Sequence, residues 1–127
     1  MRLEIKKTYK LFIGGKFPRT ESGRSYEVLD SKGNHLANAA KASRKDVRDS
    51  VVAARAAQAG WASATAYNRG QILYRIAEML EGRKEQFVGE ISLLNGKSEK
   101  AATQEVEAAI DAWVWYAGWS DKIDQVA

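Results

Sequence analysis

Residues 98–119, SEKAATQEVEAAIDAWVWYAGW, are the stretch on which the reading of the fold turns. Val106, Ala109, Ile110, Trp113 and Ala117 recur at the three- and four-residue spacing of one helical face, and the helix begins near Ser98. Within it, residues 113–119, WVWYAGW, are apolar at nearly every position. Trp113 and Trp115 lie about 200° apart on a helix of 3.6 residues per turn, so one face cannot bury both. A Trp side chain offers on the order of 200 Å². At about 25 cal/mol/Å² its full burial is worth roughly 5 kcal/mol gross. A helix apolar all round belongs to the interior of something larger. The chain then ends at Asp124-Gln125-Val126-Ala127 with no Gly, Asn or Pro there to stop the helix, so the helix is expected to run to the chain end and the protein reads as interrupted.

Upstream, three further helices are expected. Ser43 with Asp46 three residues on resembles a capping box, with Asp in place of the usual Glu, and opens the first. Val47, Val51, Ala54 and Trp61 follow at helical spacing, and Gly60 is the expected end. Thr65 is the N-cap predicted for the second, whose stripe of Ile72, Leu73, Ile76, Ala77 and Leu80 closes at Gly82. The third carries Phe87, Val88, Ile91 and Leu94, and Asn95-Gly96 stops it.

The first forty residues read differently. KLFIGGKF (10–17) is two short apolar runs around Gly14-Gly15, a hairpin signal. Tyr26 to Leu29 forms a strand, residues 30–34 (DSKGN) are turn chemistry, and His35 to Ala40 returns as a third strand. His35 itself follows Asn34 in a polar turn, as a surface histidine. A two- or three-stranded ribbon is marginal alone in water, so it needs a surface to lie on.

Length and composition bound what the chain does. With 127 residues it is the size of one domain and holds a core in principle. No run approaches ~18 consecutive apolar residues, so no membrane helix is expected, and MRLEIKKTYK lacks a following signal-peptide core. With no Cys and one His, the sequence excludes disulfides, thiolate metal sites, cysteine nucleophiles and two-His mechanisms within these residues. The net charge of +4 is unevenly spread. Residues 1–24 hold seven Lys or Arg against two Glu, +5; residues 25–97 hold eleven against eight, +3; residues 98–127 hold two against six, −4. No dense basic stripe results, so neither nucleic acid nor membrane is expected as a partner. The setting expected is cytoplasmic.

The order of these motifs resembles the N-terminal quarter of the aldehyde dehydrogenase superfamily. The resemblance is carried by LFIGGKF (11–17), then a strand, turn and strand. Asp46-Val47 through Ala53-Ala54-Arg55-Ala56-Ala57, Trp61, Arg69…Leu73 and Asn95-Gly96-Lys97 follow, and Glu105-Val106 leads to Tyr116-Ala117-Gly118-Trp119. The sequence departs at residues 29–34, LDSKGN, where the family usually has an Asn-Pro start and a Thr-Gly-Glu turn. The resemblance implies an α/β parent with a Rossmann-type coenzyme domain. Residues 1–127 would be an incomplete N-terminal part of that domain, with a β-ribbon over 9–40 and about four helices over 43–127.

It also implies oxidation of an aldehyde to an acid or acyl thioester with NAD or NADP. In the family a cysteine thiolate attacks the carbonyl, a glutamate activates water, and an asparagine with a backbone amide holds the oxyanion. All of these, with the adenine-ribose lysine, fall beyond residue 127. No catalytic and no cofactor-binding residue is therefore assigned here, and the coenzyme contacts lie outside the chain. The partners implied are the remainder of the polypeptide and other copies of the parent in a homo-oligomer.

By position the Trp113–Trp119 helix would border the substrate tunnel, with Trp115 and Trp119 as the residues touching substrate and core packing as the competing reading. Glu105 matches an acidic position that helps hold a structural monovalent or divalent cation with a carbonyl near Glu27-Val28; a solvated acidic helix start is the alternative. Gly14, Gly15 and Gly33 are turn glycines: no GxGxxG exists, and Gly89 lies seven residues before Gly96, where a phosphate loop needs five. The rival reading of the whole chain is a short non-enzymatic helical module that binds a partner through its Trp-rich face, including the remainder of a split enzyme.

Overall fold

The computed structural model describes residues 7–126. Three strands, β1 (Thr8–Tyr9), β2 (Ser25–Leu29) and β3 (His35–Ala40), precede five helices: α1 (Arg44–Ser63), α2 (Ala66–Gly82), α3 (Lys84–Asn95), α4 (Glu99–Trp119) and α5 (Ile123–Val126). The chain forms two compact units that divide between Gly60 and Trp61, within the last turn of α1. No helix among the described residues is long and apolar enough to cross a membrane.

In the first unit the sheet order is β1-β3-β2. β2 runs antiparallel to β3, with Tyr26 opposite Ala39, while β1 runs parallel to β3 and sets Tyr9 against the same Ala39. The predicted hairpin at 10–17 is a tight turn rather than a pair of sheet strands. Gly14 and Gly15 both have positive φ, 60° and 77°, the backbone of a two-residue type I′ turn; Ile13 and Lys16 bridge across it, and Leu11 N–H donates to the Pro18 carbonyl at 3.1 Å. The third strand of the ribbon is instead Thr8–Tyr9, two residues too short to show alternation.

Between β2 and β3 the Asp30 carboxylate accepts hydrogen bonds from the Lys32 and Asn34 amides, both at 2.9 Å. His35 is the first residue of β3, not part of the turn, with Nε2 2.9 Å from Asn38 Oδ1.

The capping box forms as the sequence predicts and does more than close a helix. Ser43 N–H donates to Asp46 Oδ2 (2.9 Å), and Asp46 N–H reaches Ser43 Oγ (3.3 Å). The same carboxylate takes the Thr20 hydroxyl at 2.9 Å and the Glu21 amide at 3.2 Å. Thr20 and Asp46 are 8% and 6% exposed, the two buried polar residues of the described chain. One carboxylate thus pins the 18–24 segment to the start of α1, which satisfies a buried charge with hydrogen bonds.

α1 does not stop at Gly60. It continues to Ser63, because the Arg69 guanidinium takes up the carbonyls of Ala62 (3.2 Å) and Ala64 that its end leaves open. Thr65 Oγ1 then accepts from Asn68 N–H and starts α2.

α3 ends as expected at Gly96, left-handed at φ 69°, with its N–H on the Ser92 carbonyl. Ser98 Oγ caps α4 through Ala101 N–H at 3.1 Å. α4 stops at Trp119 rather than running to the chain end. Ser120 Oγ bonds the Ala117 carbonyl (2.7 Å), Lys122 N–H the Trp119 carbonyl (3.0 Å) and Lys122 Nζ the Gly118 carbonyl, so the last turn is closed by polar groups before α5 begins.

The core of the second unit is small. Ala102, Val106 and Ile110, one turn apart along α4, meet Ala77 of α2 and Val88 of α3, with Leu80 and Ile91 packed against them. Among the described residues no large side chain is fully buried. α2 crosses α4 closely at Gly70, where a Cβ would collide with Ser120 Oγ and sit 3.0 Å from the Ala117 carbonyl oxygen.

Two outcomes follow from this packing. Gly70→Ala is expected to lower unfolding free energy by about 1–3 kcal/mol through overpacking, with partial recovery in Gly70→Ala/Ser120→Gly, read by urea denaturation. The bond from Ser43 N–H, helped by those from Thr20 and Glu21 and opposed by desolvation, holds the Asp46 carboxyl below its ordinary value. A group depressed on folding stabilises above its unfolded pKa and loses that contribution as pH falls through the folded one. The wild type should therefore exceed Asp46→Asn in stability near neutrality, and the gap should close below about pH 4; a gap independent of pH would show that the charge contributes nothing.

Candidate functional site

α4 sets the geometry of every residue singled out in the second unit. Trp115 and Trp119, four residues apart, bring their rings together with centroids 5.3 Å apart and planes at 47°. Tyr116 meets Trp115 edge to face at 5.1 Å, the arrangement the ring quadrupole favours. At 100° per residue, Trp115 and Trp119 stand about 140° and 180° round the helix from Ile110. The aromatic pair therefore lies on the side of α4 turned away from the Ala102–Val106–Ile110 stripe. Trp115 is 58% exposed, Trp119 half-buried.

A separate cleft of about 320 Å³ lies between α2 and α4. Tyr67, Gln71 and Tyr74 line one wall and Val114, Ala117 and Gly118 the other. The structure thus brings Trp115 and Trp119 together and leaves both outside this cleft.

Glu105 forms an ion pair with Lys97, and Glu107 pairs with Lys84 at 2.6 Å. The Glu107 hydrogen bond raises the Lys84 ammonium above its ordinary value, against desolvation. These pairs tie the start of α3 and the turn that follows it to α4. Among the described residues no three His, Cys, Asp or Glu gather to hold a metal, and the Glu105 carboxylate is paired with Lys97.

Gly14, Gly15, Gly23, Gly33 and Gly96 have positive φ, but each serves a turn or a helix end, and none joins a strand to the start of a helix, which is what a phosphate cradle requires.

Two contributors escaped sequence reasoning. Thr20 gave no signal, because its partner Asp46 is 26 residues away. Arg69 carried a weak one, a cation shortly after a helix end.

Residues 17–127 match the family model described as "Aldehyde dehydrogenase family". The chain belongs to the aldehyde dehydrogenase family. It is 32% identical over 118 residues to aldehyde dehydrogenase family 2 member B4, mitochondrial, of Arabidopsis thaliana, a match covering 90% of this chain and 22% of that protein. Its fold superposes on the NAD-dependent aldehyde dehydrogenase of Sinorhizobium meliloti with a TM-score of 0.87 at 27% identity, covering 94% of this chain and 24% of that one. An NAD-dependent benzaldehyde dehydrogenase from Corynebacterium glutamicum gives 0.84 at 30% identity, with 90% and 25% covered. The chain therefore spans about a quarter of the length of the aldehyde dehydrogenases it matches. Of the two readings of the sequence, membership favours the enzyme segment over the free-standing interaction module.

The placement of the aromatic pair has a direct consequence. Ile110→Ala should cost about 2–5 kcal/mol, whereas Trp115→Ala should stay within about 0.5 kcal/mol of wild type, both by urea denaturation of this chain. Equal losses would show that the Trp face belongs to this unit's core.

Proposed function

We propose that these residues are a structural segment of the coenzyme-binding part of an NAD(P)-dependent aldehyde dehydrogenase, one that oxidises an aldehyde to an acid or acyl thioester. The observation that carries this reading is the family match across residues 17–127, joined to a fold shared with NAD-dependent relatives along nine-tenths of the chain. The nucleophile is supplied from outside these 127 residues, which contain no Cys, and the coenzyme contacts belong to that remaining part as well. The chain's contribution is positional: its helices offer surface on which the catalytic part is laid. An oligomeric parent and a cytoplasmic setting belong to the same proposal.

Within it, Trp115 and Trp119 border the path of the aldehyde. Their support is the ring pair itself, a continuous apolar surface on the side of α4 that the local core does not use. A structural cation at Glu105 would have to displace Lys97.

The test is complementation. This chain is co-expressed with a relative's polypeptide from which the corresponding segment has been removed, and aldehyde-dependent reduction of NAD⁺ or NADP⁺ is followed. Activity is expected from the pair and from neither part alone. Turnover by this chain alone, or a pair that assembles and stays inactive, would overturn the reading. In the active pair, Trp119→Ala should alter the preference among aldehydes of different chain length; an unchanged preference would remove the two tryptophans from the substrate path.

A further inference from the structure

Asn95 and Gly96 close α3, and their chemistry is not exhausted by that role. Asn95 is the last helical residue and is exposed, and its side-chain amide makes no hydrogen bond among the described residues. Gly96 is exposed as well, has no Cβ to shield its backbone nitrogen, and is held by one hydrogen bond, from its N–H to the Ser92 carbonyl at 2.9 Å. That bond belongs to a helix end, where opening costs least.

The other asparagines differ. Asn34 and Asn38 are followed by His35 and Ala39 and have side chains engaged by Asp30 and His35. Asn68 is followed by Arg69 and lies inside the first turn of α2.

We propose that Asn95–Gly96 is a self-modification site, where the side-chain amide is converted once and irreversibly to a carboxylate from the state in which the end of α3 is open. In the open state the Gly96 backbone nitrogen, losing its proton, attacks Cγ of Asn95. A C–N bond forms, the bond from Cγ to the amide nitrogen breaks, and ammonia leaves with the proton. The resulting five-membered imide is opened by water at either carbonyl, giving aspartate or isoaspartate. Water is the one co-reactant, and nothing is oxidised or reduced.

Both products act on the α3–α4 corner. A carboxylate at position 95 puts negative charge at the carbonyl end of α3, where the helix dipole opposes it. Isoaspartate also adds a methylene to the main chain, which removes the register that lets Gly96 cap α3 and Ser98 cap α4. The site is thus a one-way timer on the attachment of α3 to α4.

The experiment ages the purified protein in mildly alkaline buffer and follows residue 95 by peptide mass spectrometry and isoaspartyl methyltransferase labelling. A urea-unfolded sample is aged in parallel. Conversion at Asn95 ahead of Asn34, Asn38 and Asn68, with aspartate and isoaspartate both present, is the expected result. It should vanish in Asn95→Gln and slow strongly in Gly96→Ala; the first variant carries the test if the second does not fold. An intact Asn95 in the folded sample, whether or not the unfolded one converts, overturns the proposal, as does prior conversion at another asparagine.

Discussion

The constraint on which the second unit rests is that α4 has one face to give to its neighbours and apolar residues on two. Ala102, Val106 and Ile110 fall one turn apart and receive Ala77 and Val88, so one stripe is used by α2 and α3. Trp115 and Trp119 fall on the other side. Small residues on the inner stripe allow close approach: Gly70 and Ala117 touch nearly backbone to backbone. The same smallness limits the burial obtained, because a core of two alanines, two valines and one isoleucine releases less apolar surface than the tryptophans would. The second unit turns Trp115 and Trp119 to the side of α4 that its α2 and α3 core contacts do not use. That is the arrangement of a segment belonging to a larger fold, and the quarter-length match to the family agrees with it.

The first unit depends on polar chemistry instead. A sheet of strands two to six residues long has little to bury. Its link to α1 is the Asp46 carboxylate, which gathers the hydroxyl of Thr20 and the amides of Glu21 and Ser43. An ionised group taken from water is tolerated only when hydrogen-bonded in this way. The capping box seen in the sequence was therefore half of the device. Its other half, Thr20, lies beyond the range over which local spacing carries information.

Between them, the helix ends show how capping is decided. At Gly96 a left-handed glycine closes α3 locally, and the dipeptide suffices to read it. At Gly60 the glycine is overruled and α1 runs three residues further, to Ser63, since Arg69 holds the carbonyls of Ala62 and Ala64. The end of α4 is set likewise by Ser120 and Lys122, whose side chains bond the carbonyls of Ala117 and Gly118. A cap made by the neighbouring residue is visible in order along the chain, while one made across a turn depends on where that turn delivers the side chain.

What the sequence determined by itself is therefore what depends on neighbours three or four residues apart. It determined the four long helices, the caps at Ser43 and Thr65, the start of the fourth helix near Ser98, the stop at Asn95-Gly96, and the two-sided apolar character of residues 113–119. The order of these motifs was enough to point to the family. Tertiary structure alone decided the parallel pairing of Thr8–Tyr9 with β3, the burial of Thr20 against Asp46, the run of α1 past Gly60, and the choice of Ala102, Val106 and Ile110 rather than the tryptophans as the packed stripe. Each of these depends on groups far apart in the chain meeting in space, and periodicity along one segment holds no record of which face its neighbours will take.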